Sequence, residues 1–174
     1  KYRLRYYMIG GTMLGAYRDR DFIPWDDDMD MAMPRKDYDK LMRHIHKIKS
    51  DIIQIEYPED NFFPWPYARI FHKNTTLIQG MYNYPGGVFI DLYPLDNAGN
   101  NALWQSWYLI KFRFLSSILL LSDSHDRFHL HKNGLLYHIA SKKGPLFWKR
   151  LIEKMLRLQD RQKSRYLANY YGEY

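Results

Sequence analysis

The sequence has no cysteine, which excludes disulfides and thiolate metal centres. It also lacks an apolar run long enough to cross a bilayer: the most apolar stretch, Phe114–Leu121, falls well short of the ~20 residues a span requires and follows Lys111 and Arg113. No internal repeat, low-complexity tract or signal peptide is visible, and the chain opens inside a strand-like segment, as a fragment would. Acidic residues are scarce in the second half. Residues 101–174 hold 13 Lys+Arg against 5 Asp+Glu, whereas residues 1–100 hold 13 against 14. Such asymmetry suits a polyanionic or phosphorylated partner or a membrane surface, or serves solubility alone. Wholesale disorder is excluded by 46% hydrophobic and 17% aromatic content, and 174 residues suffice for one domain with a real core.

What the chain does contain is an unusual acidic stretch, Phe22-Ile23-Pro24-Trp25-Asp26-Asp27-Asp28-Met29-Asp30-Met31-Ala32-Met33-Pro34. An ordinary solvated acidic loop would be rich in Gly, Ser, Lys or Asn. From Asp28 to Met33 the alternation suits a short strand, with Asp28 and Asp30 on one face, Asp26 in phase behind them, and Met29, Met31 and Met33 toward the core. Adjacent carboxylates on a rigid strand repel each other unless a cation lies between them, so the stretch reads as a metal site. An acidic strand end facing solvent is the plainer alternative. An EF-hand loop is excluded, because Met31 and Asp37 stand where it needs Gly and Glu.

Arg5–Ile9 reads as a strand, broken by Gly10-Gly11-Thr12, after which Met13–Tyr17 reads as a short helix. A Gly pair opening a helix exposes backbone N–H groups where phosphate could sit. Asp37–Ile48 has the spacing of an amphipathic helix, with Tyr38, Leu41, Met42, Ile45 and Ile48 on one face and His44 and His46 on the surface. Strands are expected at Ile52–Ile55, at Tyr67–Phe71 and Thr76–Ile78 as a pair around Lys73-Asn74, and at Val88–Leu95. Beyond Asn97 the texture becomes helical. Ala102–Ser122 is apolar on most faces, as in a buried or membrane-abutting helix. Leu135–Lys142 follows, then a basic amphipathic helix from Pro145 toward Tyr170 with Leu151, Met155 and Leu158 on its apolar face. His125, His129 and His131 cluster loosely, without the framing that zinc ligands need.

Asp91 is a lone acid in the apolar strand Phe89-Ile90-Asp91-Leu92-Tyr93, where an unpaired buried carboxylate would cost several kcal/mol. Either it caps a turn or it joins the other acids around a cation. If the two strands are neighbours, three carboxylates meet beside a Gly-rich helix start, the makings of a divalent-metal phosphoryl-transfer site.

Gly10-Gly11-Thr12-Met13-Leu14-Gly15-Ala16-Tyr17-Arg18, then Phe22–Asp30 and Pro34-Arg35-Lys36-Asp37-Tyr38, resembles the LicD family of phosphocholine transferases and fukutin-type phosphosugar transferases. Tyr67-Ala68-Arg69-Ile70 with Thr75-Thr76, and Phe89–Asp96, are similar in order and type. The resemblance implies an α+β, nucleotidyltransferase-like fold: a small mixed β-sheet flanked by helices, with residues 1–97 as catalytic core and 98–174 as a helical, basic extension. It implies Asp28, Asp30 and Asp91 as metal ligands and catalytic acids for Mg²⁺ (or Mn²⁺). Gly10, Gly11, Thr12, Arg18, Arg69 and Lys73 would contact the donor, with a surface charge or a salt bridge to the aspartates as the alternative for Arg18 and Arg69, and the roles of Asp26 and Asp27 stay open.

The expected activity is transfer of a phospho-substituent such as phosphocholine from a CDP-linked donor (CDP-choline or similar) to a glycan or glycolipid hydroxyl. It would take place in the cytoplasm, with room for peripheral contact with the inner face of the membrane and no role for nucleic acid. Transfer of a nucleoside monophosphate, and a non-catalytic module stabilised by its metal, are the alternatives. A quaternary ammonium would want an aromatic cage, for which Trp65, Tyr67, Tyr82, Tyr84 and Trp104 are candidates. Family members continue past an element like Tyr171-Gly172, so transfer to a polymeric acceptor is expected to be weak. Replacing Asp28, Asp30 or Asp91 by Asn is expected to relieve repulsion in the metal-free protein.

Overall fold

The computed structural model describes residues 2–26, 28–59, 63–78, 85–122, 134–160 and 163–171. Asp27, Tyr82, Tyr84, His125, His129, His131, Arg161 and Gly172 lie outside them. The architecture is a mixed sheet flanked by helices, in the chain order β1 (Tyr7–Met8), α1 (Gly10–Arg18), β2 (Asp30–Pro34), α2 (Arg35–Met42), β3 (Ile53–Glu56), β4 (Ala68–His72), β5 (Leu77–Ile78), β6 (Pro85–Gly86), β7 (Phe89–Asn97), α3 (Ala102–Leu121), α4 (Leu135–Lys143), α5 (Pro145–Asp160) and β8 (Leu167–Ala168).

The main sheet runs β1-β2-β7-β4-β3, with β8 added to the far end of β7. Only β2 and β7 are parallel; every other pairing is antiparallel. Strand alternation divides the core into two layers. Ala32, Tyr93, Tyr67, Phe71 and Phe89 pack with Phe63 and Trp65 on one face, while Met33, Leu92 and Ala68 pack with Tyr38 of α2 on the other. Of the methionines expected to face the core, Met33 is buried and Met31 packs half-buried beside Leu92. A third cluster joins Tyr108, Phe112, Ile118 and Leu119 of α3 to Ala140 of α4, Trp148, Ile152 and Leu156 of α5, and Tyr170.

Several expected elements differ. The segment Leu77–Ile78 pairs with β6 rather than with β4, whose two edges are already taken by β3 and β7. The helix expected over 37–48 begins earlier, at Arg35, and gives way after Met42 to a 3₁₀ turn at Ile45–Lys47, which leaves Ile48 exposed. The long basic helix ends at Asp160, and the chain returns to the sheet as β8. Its buried stripe is Trp148, Ile152, Leu156 and Gln159, one position away from the expected face, and Leu158 is exposed. Lys149, expected on the polar side, is buried and donates from Nζ to the Phe63 carbonyl at 2.7 Å. Among the described residues no helix is long and apolar enough to cross a membrane.

An ion network centred on the buried Arg35–Asp96 pair ties α5 to α2 and β7. The Arg35 guanidinium forks onto both oxygens of Asp96 at 2.6 Å and reaches Glu153 at 2.9 Å, while Arg157 bridges Asp39 and Glu153 at 2.8 Å each. Burial works against both charges of the Arg35–Asp96 pair. Even so, Arg35 is held above its ordinary pKa by the Asp96 hydrogen bonds and charge.

Candidate active site

The parallel register sets Asp30 directly beside Asp91, and the neighbouring antiparallel register sets Arg69 on the other side of Asp91. Three adjacent strands thus present Asp30, Asp91 and Arg69 in one row on one face. Asp28, just ahead of β2, completes a cluster in which one carboxylate oxygen from each of Asp28, Asp30 and Asp91 lies within 4.8 Å of the others.

The three acids are held differently. Asp91 is buried and receives the Arg69 guanidinium in a fork: Nε donates to Oδ1 and Nη2 to Oδ2, the latter at 2.8 Å. The Tyr67 and Tyr93 hydroxyls donate to the same Oδ2, at 3.3 Å each. The guanidinium is itself stacked between Trp65 and Phe89, 3.9 and 3.7 Å from their ring centroids. Asp30 has weaker compensation. Its Oδ1 is buried without a hydrogen-bond partner, and burial, then the charge of Asp91, push its carboxyl up to about 6.

The turn before α1 is shaped around these acids. Gly10 has φ +56°, and a Cβ there would stand 2.8 Å from Asp30 Oδ2. A Cβ on Gly11 would overlap Asp26 Oδ2, so Asp26 lies over the helix start. Buried Thr12 accepts from the Asp30 backbone N–H at 2.8 Å, and Ile9 N–H donates to the Asp30 carbonyl at 3.1 Å. Ile9 at the N-cap supplies no side-chain cap, and the start of α1 lies beside the carboxylates.

The remaining expected contacts are dispersed. Arg69 adjoins the acids, but its guanidinium is engaged by Asp91 rather than open to a donor phosphate. Arg18 sits exposed at the far end of α1, paired with Asp19 at 2.7 Å. Lys73 donates to the Ser50 carbonyl at 2.7 Å, four residues past Arg69 and so about 13 Å further along the strand direction. Trp65 and Tyr67 are near the acids but packed on Arg69 and Tyr93, and Trp104 packs on Tyr108 beside Gly99, past the opposite end of β7. No cage forms from these three.

The clamp on Asp91 is the alternative weighed for Arg69 from the sequence, a salt bridge to the aspartates in place of a donor contact. Its signal was present: Arg69 is a lone cation between Ala68 and Ile70 just as Asp91 is a lone anion between Ile90 and Leu92, and two such residues on neighbouring apolar strands have each other as the cheapest partner.

The oxygen-only set of Asp28, Asp30 and Asp91, with one buried oxygen unpartnered, fits a hard divalent cation. No solved structure matches the chain. It is similar to the lipopolysaccharide cholinephosphotransferase LicD of Haemophilus influenzae, with 29% identity over 123 residues, 67% of this chain and 46% of the relative, so the chain spans less than half of that protein's length. Residues 3–122 match the family described as LicD/FKTN/FKRP, nucleotidyltransferase domain, a span that holds all three acids, the Gly pair and the Arg69 clamp. The chain belongs to the LicD/FKTN/FKRP nucleotidyltransferase-domain family.

Proposed function

We propose that this chain carries the catalytic core of a Mg²⁺-dependent (or Mn²⁺-dependent) phosphotransferase. It moves a phospho-substituent, phosphocholine foremost, from a CDP-linked donor to a hydroxyl of a cell-surface glycan or glycolipid. The observation that supports this reading is the convergence of one oxygen each from Asp28, Asp30 and Asp91 within 4.8 Å, with Asp30 Oδ1 buried and unpartnered, beside the start of α1. The relative's name, lipopolysaccharide cholinephosphotransferase, supports choline phosphate as the group and lipopolysaccharide as the acceptor class.

Asp28, Asp30 and Asp91 would hold the cation, whose chemistry is to neutralise charge developing on the donor phosphates. Arg69, Tyr67 and Tyr93 fix the Asp91 carboxylate, and Thr12 fixes the backbone of Asp30. The first N–H groups of α1 suit phosphate oxygens. In the transfer, the acceptor hydroxyl oxygen bonds to the phosphorus carrying the headgroup, the phosphoanhydride bond breaks, CMP leaves, and the hydroxyl proton passes to a base. A cytoplasmic, membrane-peripheral location accompanies this reading.

The family's description as a nucleotidyltransferase domain favours a second reading, in which the nucleoside monophosphate is transferred and pyrophosphate leaves. One experiment separates the two: incubation with Mg²⁺, a panel of CDP-linked donors and CTP, followed by product analysis. CMP release that requires Mg²⁺ and is lost in Asp28→Asn supports the first. Pyrophosphate release from CTP without CMP release from any CDP-linked donor overturns it.

A further inference from the structure

Helix α3 leaves an apolar stripe uncovered. Its buried side, Tyr108, Phe112 and Leu119, packs against α5, while Leu103, Trp107, Ile110 and Phe114 recur at i, i+4, i+7 and i+11 and are 50–82% exposed. These four side chains lie on one flank of the helix, a contiguous arrangement that soluble surfaces rarely leave bare. Helix α4, which packs on α3, adds exposed Leu135, Leu136 and Ile139.

The charges that α3 and α4 themselves carry are of one sign. Neither α3 nor α4 contains a carboxylate, and together they carry Lys111, Arg113, Lys142 and Lys143. The Lys111 ammonium lies 4.8 Å from the Trp107 ring centroid, and Lys143 lies 5.4 Å from that of Phe147, itself exposed. A tryptophan in the stripe with a lysine stacked on it combines an apolar body with a cation that can stay at headgroup depth. An anionic lipid surface complements a face whose own charges are all positive.

We propose that α3, with α4 beside it, docks on the surface of a bilayer containing anionic phospholipid, with the Leu103–Trp107–Ile110–Phe114 stripe entering the interface and Lys111, Lys142 and Lys143 meeting the headgroups. The helix lies on the membrane rather than through it. This inference is independent of the chemistry at the acids.

The test uses the chain with vesicles of mixed phosphatidylcholine and phosphatidylglycerol, and of phosphatidylcholine alone, by co-sedimentation and tryptophan emission. Binding to the mixed vesicles should weaken with salt and fall at least tenfold on phosphatidylcholine alone. Binding to the mixed vesicles should also fall at least tenfold in Leu103→Ser/Ile110→Ser/Phe114→Ser and in Lys111→Glu/Lys143→Glu. A blue shift on binding should disappear in Trp107→Phe. Absence of vesicle binding, equal binding by the serine variant, or a concentration-dependent dimer that the serine variant abolishes in place of vesicle binding would each overturn the proposal. Should the serine variant fail to fold, brominated phosphatidylcholine in the mixed vesicles decides: quenching of the unaltered chain that diminishes in Trp107→Phe supports docking, and unquenched emission, or quenching that Trp107→Phe leaves unchanged, refutes it.

Discussion

Replacing Asp30 by Asn should stabilise the metal-free protein near neutral pH, although it removes a side chain at the centre of the site. In the folded state burial and the neighbouring Asp91 raise the Asp30 carboxyl from 3.8 to about 6. A folded-state pKa above the unfolded value means that the native protein binds the proton more tightly. The resulting stability is fully present below about pH 4 and is lost as pH rises through about 6. Two units correspond to about 3 kcal/mol, and the partial exposure of Asp30 lowers the usable figure to on the order of 2 kcal/mol. Asn carries no charge at any of these pH values and puts no new burden on Oδ1, which has no partner to lose.

Thermal unfolding in EDTA, followed by circular dichroism from about pH 4 to 8, measures this directly. At the upper end Asp30→Asn should melt about 4–8 °C above the parent, the shift expected of ~2 kcal/mol in a domain of this size, and the advantage should vanish at the lower end. Millimolar Mg²⁺ should then raise the melting point of the parent far more than that of the variant. Asp37→Asn, which loses only a surface pairing with Arg5, is the control and should stay within about 0.5 kcal/mol of the parent. If Asp30→Asn melted below the parent in EDTA near neutral pH, or if Mg²⁺ stabilised both equally, the electrostatic account of the acidic strand would be wrong.

Asp91→Asn should behave in the opposite way, destabilising the metal-free protein by about 3–5 kcal/mol in urea denaturation, because it strands the buried Arg69 guanidinium. The Arg69 clamp thus sets Asp91 apart from the expectation that all three acids respond alike. Arg69→Ala should cost a similar amount, and Arg69→Lys should recover only part of it because an ammonium cannot fork, whereas Arg18→Ala at the exposed end of α1 should leave the midpoint within about 0.5 kcal/mol. Gly11→Ala, whose Cβ would overlap Asp26 Oδ2, should lower Mg²⁺ affinity in calorimetric titration by roughly tenfold, about 1.4 kcal/mol, as Asp26 is pushed aside. Asp96→Asn should lower stability by about 3 kcal/mol without changing Mg²⁺ affinity, since Asp96 faces Arg35 rather than the acids; an altered affinity would tie the two networks together.

The shared direction of the acids was readable from local pattern, because parity carries it. The spacing of Asp28 and Asp30 gave a shared direction, and an acid in the apolar run around residue 91 implied compensation from a neighbouring strand. The pairing of β2 with β7 then required only that the two apolar strands be adjacent. What local pattern could not carry was the choice of partner across long separations. Arg69 offers the same charge to a donor phosphate as to Asp91, and the outcome turns on the antiparallel register of β4, which places it opposite residue 91. The α5 stripe was only partly read, with Leu151 and Met155 packing half-buried at its edge and Leu158 exposed, for a related reason. Lys149 buries its stem among apolar neighbours and delivers its ammonium to a carbonyl, so its charge does not mark an exposed face. The histidine cluster and two cage tyrosines fall outside the described residues.

The two forked arginine–aspartate pairs show how the site is separated from the helical part of the chain. Asp91 and Asp96 lie on the same strand but five residues apart, an odd separation that turns them to opposite faces. Asp91 is met by an arginine from the adjacent strand, in register, so the sheet ladder itself fixes the contact. Asp96 is met by Arg35 at the start of α2, and that arginine is shared with Glu153 of α5. Disturbing α5 would therefore loosen Arg35 while leaving Arg69 and Asp91 joined through backbone pairing. The helical part reaches the site's own layer through Lys149 on the Phe63 carbonyl and through Tyr171, whose ring meets Tyr67 edge-on at 5.8 Å. Both contacts land behind the aromatic shell of Arg69 and Asp91 rather than on the acids. The carboxylates accordingly owe their convergence to residues 9–93, and α3 to α5 bear on them by supporting the shell that holds Arg69 in place.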